Sequence, residues 1–84
     1  MAISAVEIDP RVQSVSIEDD RLEVGLRDGR TISAPLAWFP RLAAAEPEAR
    51  KVWEPSAAGF GIHWPLIDED LSVDGLLRGD GGIA

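Results

Sequence analysis

Apolar and polar side chains alternate with a period of two over two consecutive stretches in the first third of the chain. Val15 and Ile17 alternate with Ser14, Ser16 and Glu18, and Leu22, Val24 and Leu26 alternate with Glu23, Gly25 and Arg27. Such alternation marks strands with one buried face. A two-residue loop at Asp19-Asp20 sets Ile17 opposite Leu22 and Val15 opposite Val24. It also brings Glu18 opposite Arg21, an attractive cross-strand pair. A slip of one residue would turn half of these apolar side chains to water. The next turn distinguishes two geometries. A two-residue Asp28-Gly29 loop would place Ile32 opposite Gly25, on the wrong face. A three-residue loop, Arg27-Asp28-Gly29 with Gly29 left-handed, pairs Val24 with Ile32 and Leu22 with Ala34, and this is the expected one. Pro35 ends the third strand because it offers no amide to the ladder. In the lead-in, Val6 and Ile8 also alternate with polar neighbours, so a stray edge strand is an option before Asp9-Pro10.

From residue 36 to 52 the period becomes helical. Pro40 suits a first helical turn, so a helix over residues 40–45 is expected, with Phe39 and Leu42 facing inward. Pro47 opens a second short helix through Val52, and one kinked helix over residues 37–52 is the alternative. Ala43-Ala44-Ala45 would allow close approach to a sheet. Residues 53–57 and 60–64 then read as a second hairpin. Pro55 makes its first strand an edge, and Trp53 lies across from Ile62. Phe60, Ile62 and Trp64 share one face, His63 takes the other, and Pro65 closes the strand. Val73, Leu76 and Leu77 have the spacing of one apolar helical turn, with Ser72 as N-cap.

The expected fold is therefore α+β. An antiparallel sheet combines an N-terminal three-stranded meander with a C-terminal hairpin, one or two short helices lie between them, and a short helical turn follows. The 84 residues are read as one domain, with an ordered core over about 11–79 and mobile ends at 1–5 and 80–84. Chain entropy cancels most of the burial gain at this size, so a partner or a homodimer interface would add useful burial.

Charge narrows the function classes. Fifteen acidic against eight basic residues give a net charge of −7. Counterion release on phosphate requires a basic face, so neither nucleic acid nor an anionic membrane is expected as partner. A protein with a basic surface is. The chain has no cysteine, which removes disulfides, thiolate chemistry and zinc ribbons. The apolar runs are too short to span a bilayer and no leader is visible, so a cytoplasmic location is the expectation.

Several residues invite a chemical reading. His63 is the single histidine, and Asp68 or Asp70 would orient it if the chain folds back, but no serine or threonine stands as an obvious nucleophile. Asp68-Glu69-Asp70 with Asp74 offers carboxylates to a hard cation, yet it lacks the closing glutamate and well-placed glycine of a calcium loop. The competing reading has these acids capping the terminal turn and accepting from loop amides near Trp64. Gly59-x-Gly61 is too short for a dinucleotide loop and marks a tight hairpin or bulge. Trp38, Trp53 and Trp64 are read as core in preference to an aromatic box for a ligand. No cofactor, metal or catalytic residue is assigned. His63, Trp64, Pro65, Asp68, Glu69 and Asp70 are the candidate partner-contact residues.

The chain over residues 11–79 resembles a bacterial family of small domains, DUF2442. The resemblance rests on the opening hairpin, Pro40-Arg41-Leu42, Gly61-Ile62-His63-Trp64-Pro65, Asp68-Glu69-Asp70-Leu71 and Gly75-Leu76-Leu77. It implies an α+β domain with no established activity. Genes of the family often lie beside a second small family in what looks like a toxin–antitoxin arrangement, which would make this acidic domain the neutralising member. Some relatives carry a helix-turn-helix after the domain, and this sequence stops at Ala84 without one. The functional expectation is thus a small acidic protein-binding module, an antitoxin-like partner of a neighbouring gene product. The alternative is a small-ligand or enzymatic domain centred on His63, Asp68 and Asp70.

Overall fold

The computed structural model describes residues 7–79. Strands β1 (Val12–Glu18), β2 (Arg21–Leu26) and β3 (Thr31–Pro35) form an antiparallel meander in that order. Its register is the expected one: Val15 faces Val24, Ile17 faces Leu22, Glu18 faces Arg21, Val24 faces Ile32 and Leu22 faces Ala34. Asp19 and Asp20 have φ of 52° and 62°, the left-handed pair that matches the twist of a two-residue hairpin. The second turn closes through Leu26 N–H donating to Arg30 O at 2.8 Å, with Gly29 at φ 96°. A bulge between Val12 and Ser14 resets the alternation at the start of β1, so Val12 joins the buried face. Residues 7–10 form no strand and Ile8 is exposed. Val6 and the ends 1–5 and 80–84, for which a stray strand and mobility were expected, lie outside the described residues.

A 3-10 turn (Leu36–Trp38) leads into α1 (Pro40–Ala44) and α2 (Pro47–Arg50), each with proline in its first turn. The pair is two helices and not one kinked helix. Ala45 and Glu46 are extended, with ψ of 156° and 146°, because Pro47 crowds the α region of the residue before it. Arg50 fastens them together: its Nε and Nη2 donate to the Leu42 and Ala43 carbonyls at 2.8 Å, serving the orphan acceptors at the end of α1. Two expectations change here. The second helix stops at Arg50, short of Val52, and Ala43 and Ala44 face solvent, because burial of Phe39 and Leu42 turns that side of α1 outward.

The C-terminal part holds more sheet than its sequence pattern announces. β4 (Glu54–Ser56), β5 (Gly61–Trp64) and β6 (Glu69–Ser72) make a second antiparallel sheet, separate from the first, in the order β4-β5-β6. The β4–β5 register also differs from the expected one, since Pro55, not Trp53, lies opposite Ile62. The connection is longer than a tight loop. Ala57, Ala58 and Gly59 are successively left-handed at φ 51°, 59° and 97°. Phe60 follows at φ −90° and ψ 4°, outside the strand, so it escapes the alternation and is exposed instead of sharing the face of Ile62 and Trp64. Ser72 caps α3 (Val73–Arg78), its hydroxyl accepting from Gly75 N–H at 2.9 Å, and Gly79 closes the helix at φ 78°.

Both sheets, α1 and α3 share one core in which Trp64, Phe39, Leu22, Leu42, Ile62 and Val24 are fully buried. The Trp64 indole N–H donates to Arg50 O at 3.2 Å, so the largest core side chain leaves no buried donor unpaired. Trp38 and Trp53 pack, partly buried, against this core, and Leu77, placed inward by its spacing, is exposed.

Two stability predictions follow from this packing. Ala58→Gly relieves a left-handed alanine (φ 59°, ψ 29°) and is expected to stabilise the domain by about 0.5–1 kcal/mol in urea unfolding. Gly61→Ala places a methyl 2.6 Å from Ser56 Oγ and 3.2 Å from Leu71 O and is expected to cost about 1–3 kcal/mol in the same assay.

Candidate functional site

The β5–β6 hairpin carries the candidate chemistry. Its loop spans residues 65–68 and is closed by Trp64 O, which accepts from Ile67 N–H at 3.2 Å and Asp68 N–H at 2.9 Å. Asp68 is left-handed at φ 58°, a conformation that aspartate tolerates better than most residues. Arg41 of α1 pins this loop, donating from Nη1 to the Asp68 carbonyl at 2.7 Å, while the Asp68 carboxylate stays 92% exposed at 3.9 Å from the same guanidinium. Burial of Trp64 and Leu42 thus holds an acidic loop rigidly at the surface.

Register then builds a row across the outer face of the second sheet. His63 lies opposite Glu54 on one side and Asp70 on the other. Residues directly opposite share a face, so an imidazole stands between two carboxylates. His63 Nδ1 and Asp70 Oδ1 are 2.9 Å apart. A carboxylate accepts, so Nδ1 is the donor in this contact. The arrangement suits orientation of a base or recognition of an incoming cation. Among the described residues no hydroxyl hydrogen-bonds to the imidazole, and no group of three or more potential metal ligands converges.

The candidate residues therefore separate. His63 and Asp70 come together as anticipated, but Asp68 turns to Arg41 and not to the imidazole. Pro65 is exposed in the loop, and Glu69 lies opposite Trp64 with Oε1 accepting from Asp70 N–H at 3.2 Å. Trp64 is wholly buried, so its side chain belongs to the core and is withdrawn from the contact surface. The acids do not cap the terminal turn or serve loop amides: Glu69 and Asp70 are strand residues, and Ser72 is the cap. Sequence reasoning missed Glu54, because the register of β4 was set two residues away, and Arg41, whose only signal was its place in the Pro40-Arg41-Leu42 motif. It also missed an open apolar cleft of about 380 Å³ between Pro10, Ala57, Phe60, Val73 and Leu77.

The carboxylates with displaced ionisation lie on another turn. Hydrogen bonds from Arg11 hold Asp9 at a pKa of about 2, below its ordinary 3.8. Asp28 is lowered too, first by the Arg30 guanidinium, and its carboxylate also accepts from the Asp9 amide at 3.0 Å, tying the lead-in to the β2–β3 turn. These groups are structural clamps.

Together these features define a small α+β domain with shallow clefts and an acidic strand at one sheet edge. Among the described residues no helix is long and apolar enough to cross a membrane. The family model described as protein of unknown function (DUF2442) matches residues 12–82, and the chain belongs to that family. It is similar to the crystal structure of a protein of unknown function from Rhodospirillum rubrum, with 30% identity over 86% of this chain and 89% of that one, at a TM-score of 0.73. It is also similar to the solution structure of an uncharacterised protein from Chromobacterium violaceum, with 26% identity over 88% of this chain and 70% of that one, at a TM-score of 0.75. No curated protein matches the chain.

A pH prediction follows from the clamps. A carboxylate whose folded pKa is depressed stabilises the fold above its unfolded pKa and ceases to do so as pH falls through the folded one. Asp9→Asn is therefore expected to lower stability near neutral pH and to flatten the acid-unfolding profile between about pH 3.8 and about pH 2, as read by circular dichroism.

Proposed function

We propose that this domain is a small acidic protein-binding module, the antitoxin-like partner of a basic product of a neighbouring gene, acting in the cytoplasm. The observation that carries this reading is the fixed hairpin displaying exposed carboxylates at Asp68 and Asp70, 92% and 66% exposed, beside the His63 imidazole. Net charge of −7 favours the same class of partner. Apolar anchoring is available nearby, because Phe60 and Leu77 stand exposed on either side of a cleft that also reaches Ser72 and Asp74. Family membership is consistent with this role and does not assign it.

The test is copurification with the adjacent gene product over a salt series. A complex at low salt that weakens as salt rises, and weakens further in an Asp68→Asn, Asp70→Asn double variant by about 3–10-fold in association rate, is the expected result. A chain that stays free at low salt, or elutes only as a homodimer, would contradict it.

The 2.9 Å contact between His63 and Asp70 favours a second reading, an acid–base or small-ligand site. Both side chains are partly solvated, so as a structural pair they are worth at most about 1 kcal/mol. His63→Ala is expected to leave the melting temperature nearly unchanged. A metabolite or divalent ion that raises the wild-type melting temperature, and does so only while His63 is present, would establish this second reading in place of the first.

A further inference from the structure

Hydrogen-bond parity along β6 exposes a strand edge beside a helix. Val73 N–H donates to Phe60 O at 3.0 Å, and two residues back along the ladder Leu71 faces Ile62. Bonded pairs alternate in an antiparallel ladder, so residues 69, 71 and 73 direct their backbone groups toward β5. Asp70 directs its N–H and C=O outward and Ser72 its N–H, the Ser72 carbonyl being engaged at the start of α3. The short side-chain contact of His63 with Asp70 fits this assignment, since non-bonded pairs approach more closely. Asp70 N–H confirms it by donating not to a strand but to its neighbour Glu69 Oε1, at 3.2 Å in an exposed position.

This edge forms one wall of an open groove of about 330 Å³. Glu69, Asp70 and Ser72 line the strand side, and Gly75, Leu76 and Arg78 of α3 line the other. A strand edge that is unpaired among the described residues and faces a helix has the form of a site for strand addition, in which main-chain hydrogen bonds supply affinity and flanking side chains supply selectivity. Two other edges suit this less well: Pro55 interrupts β4, and the groove along β1 is bordered by Arg50 and Lys51, whereas Arg78 in the β6 groove is paired with Asp74 at 3.0 Å.

We infer that β6 receives an extended, basic segment of a partner protein as an added strand, its backbone pairing with Asp70 and with the Ser72 amide, its lysine or arginine side chains meeting Asp70 on the face that carries His63, and its alternate residues turning to the face of Glu69. Charge selects this occupant over a second copy of the chain. An identical β6 would lay a second strand carrying Glu69 and Asp70 alongside the first, in a protein already at −7. Glu69 acts as a displaceable plug: its carboxylate holds the Asp70 amide while the edge is empty, and it is released to solvent when a carbonyl takes that amide. The inference rests on the partner reading proposed above and specifies its geometry.

The test uses an acetylated, amidated heptapeptide of alternating lysine and valine, titrated at low salt and followed through backbone amide shifts. The expected result is binding that moves the Asp70 and Ser72 amides most, while the matching glutamate–valine peptide does not bind. Asp70→Asn keeps the outward N–H and removes the charge, whereas Asp70→Pro removes both and leaves the β5 ladder intact. Asp70→Pro is expected to bind about ten-fold more weakly than Asp70→Asn. Should Asp70→Pro fail to fold, the lysine peptide N-methylated at alternate residues serves instead, with the same ten-fold loss expected for the wild-type chain. Equal binding by the two variants, or by the methylated peptide, overturns strand addition while leaving an acidic contact surface standing. Unmoved Asp70 and Ser72 amides overturn it as well, whereas the partner reading itself is decided by the copurification and ligand tests given above.

Discussion

Burial of Trp64 is the constraint on which the second half of the molecule depends. The indole is fully buried in the shared core, and its N–H is satisfied by the Arg50 carbonyl. Arg50 in turn closes α1 with its guanidinium, and α1 carries Leu42 into the core and Arg41 to the Asp68 carbonyl. A single apolar site thereby sets the position of two helices, one strand and the acidic loop. Loss of a buried tryptophan typically removes about 3–5 kcal/mol, a large share of what so small a domain has. The surface features are exposed because the interior beneath them is not adjustable.

That arrangement explains how an acidic segment can be ordered by hydrogen bonds from the elements beneath it. Asp68 adopts a left-handed turn, Asp70 continues into a strand, and their carboxylates are left to water and to His63. Exposed pairs of this kind contribute little to folding. Their value lies in presentation: the loop is fixed from below by Arg41 and by two hydrogen bonds to Trp64 O, so the charges keep a defined geometry at almost no stability cost. Such preorganisation is what a recognition surface requires.

The meander was legible in the sequence because both of its turns have residue types that fix loop length. Two aspartates tolerate consecutive left-handed positions, and only one placement of Gly29 kept Val24 and Ile32 on the same face. The second sheet was legible only in part. Two alanines adopt left-handed conformations at the β4–β5 turn, where propensity gives no warning, so the register was misplaced and Glu54 was not seen opposite His63. β6 was hidden for a related reason. Glu69-Asp70-Leu71-Ser72 is short, acidic and poor in β-formers, and pairing with β5 overrides its local preference. The nearness of His63 and Asp70 could be guessed as a fold-back, but only strand pairing excludes Asp68 from that contact.

Amide hydrogen exchange along β6 tests the central claim, a rigid acidic strand whose outer edge awaits a partner. The account predicts a protected Leu71 amide and rapidly exchanging Asp70 and Ser72 amides in the free protein, with Asp70 slowed when the proposed basic partner is added. Protection of Asp70 in the free protein, or unchanged exchange in a formed complex, would contradict it.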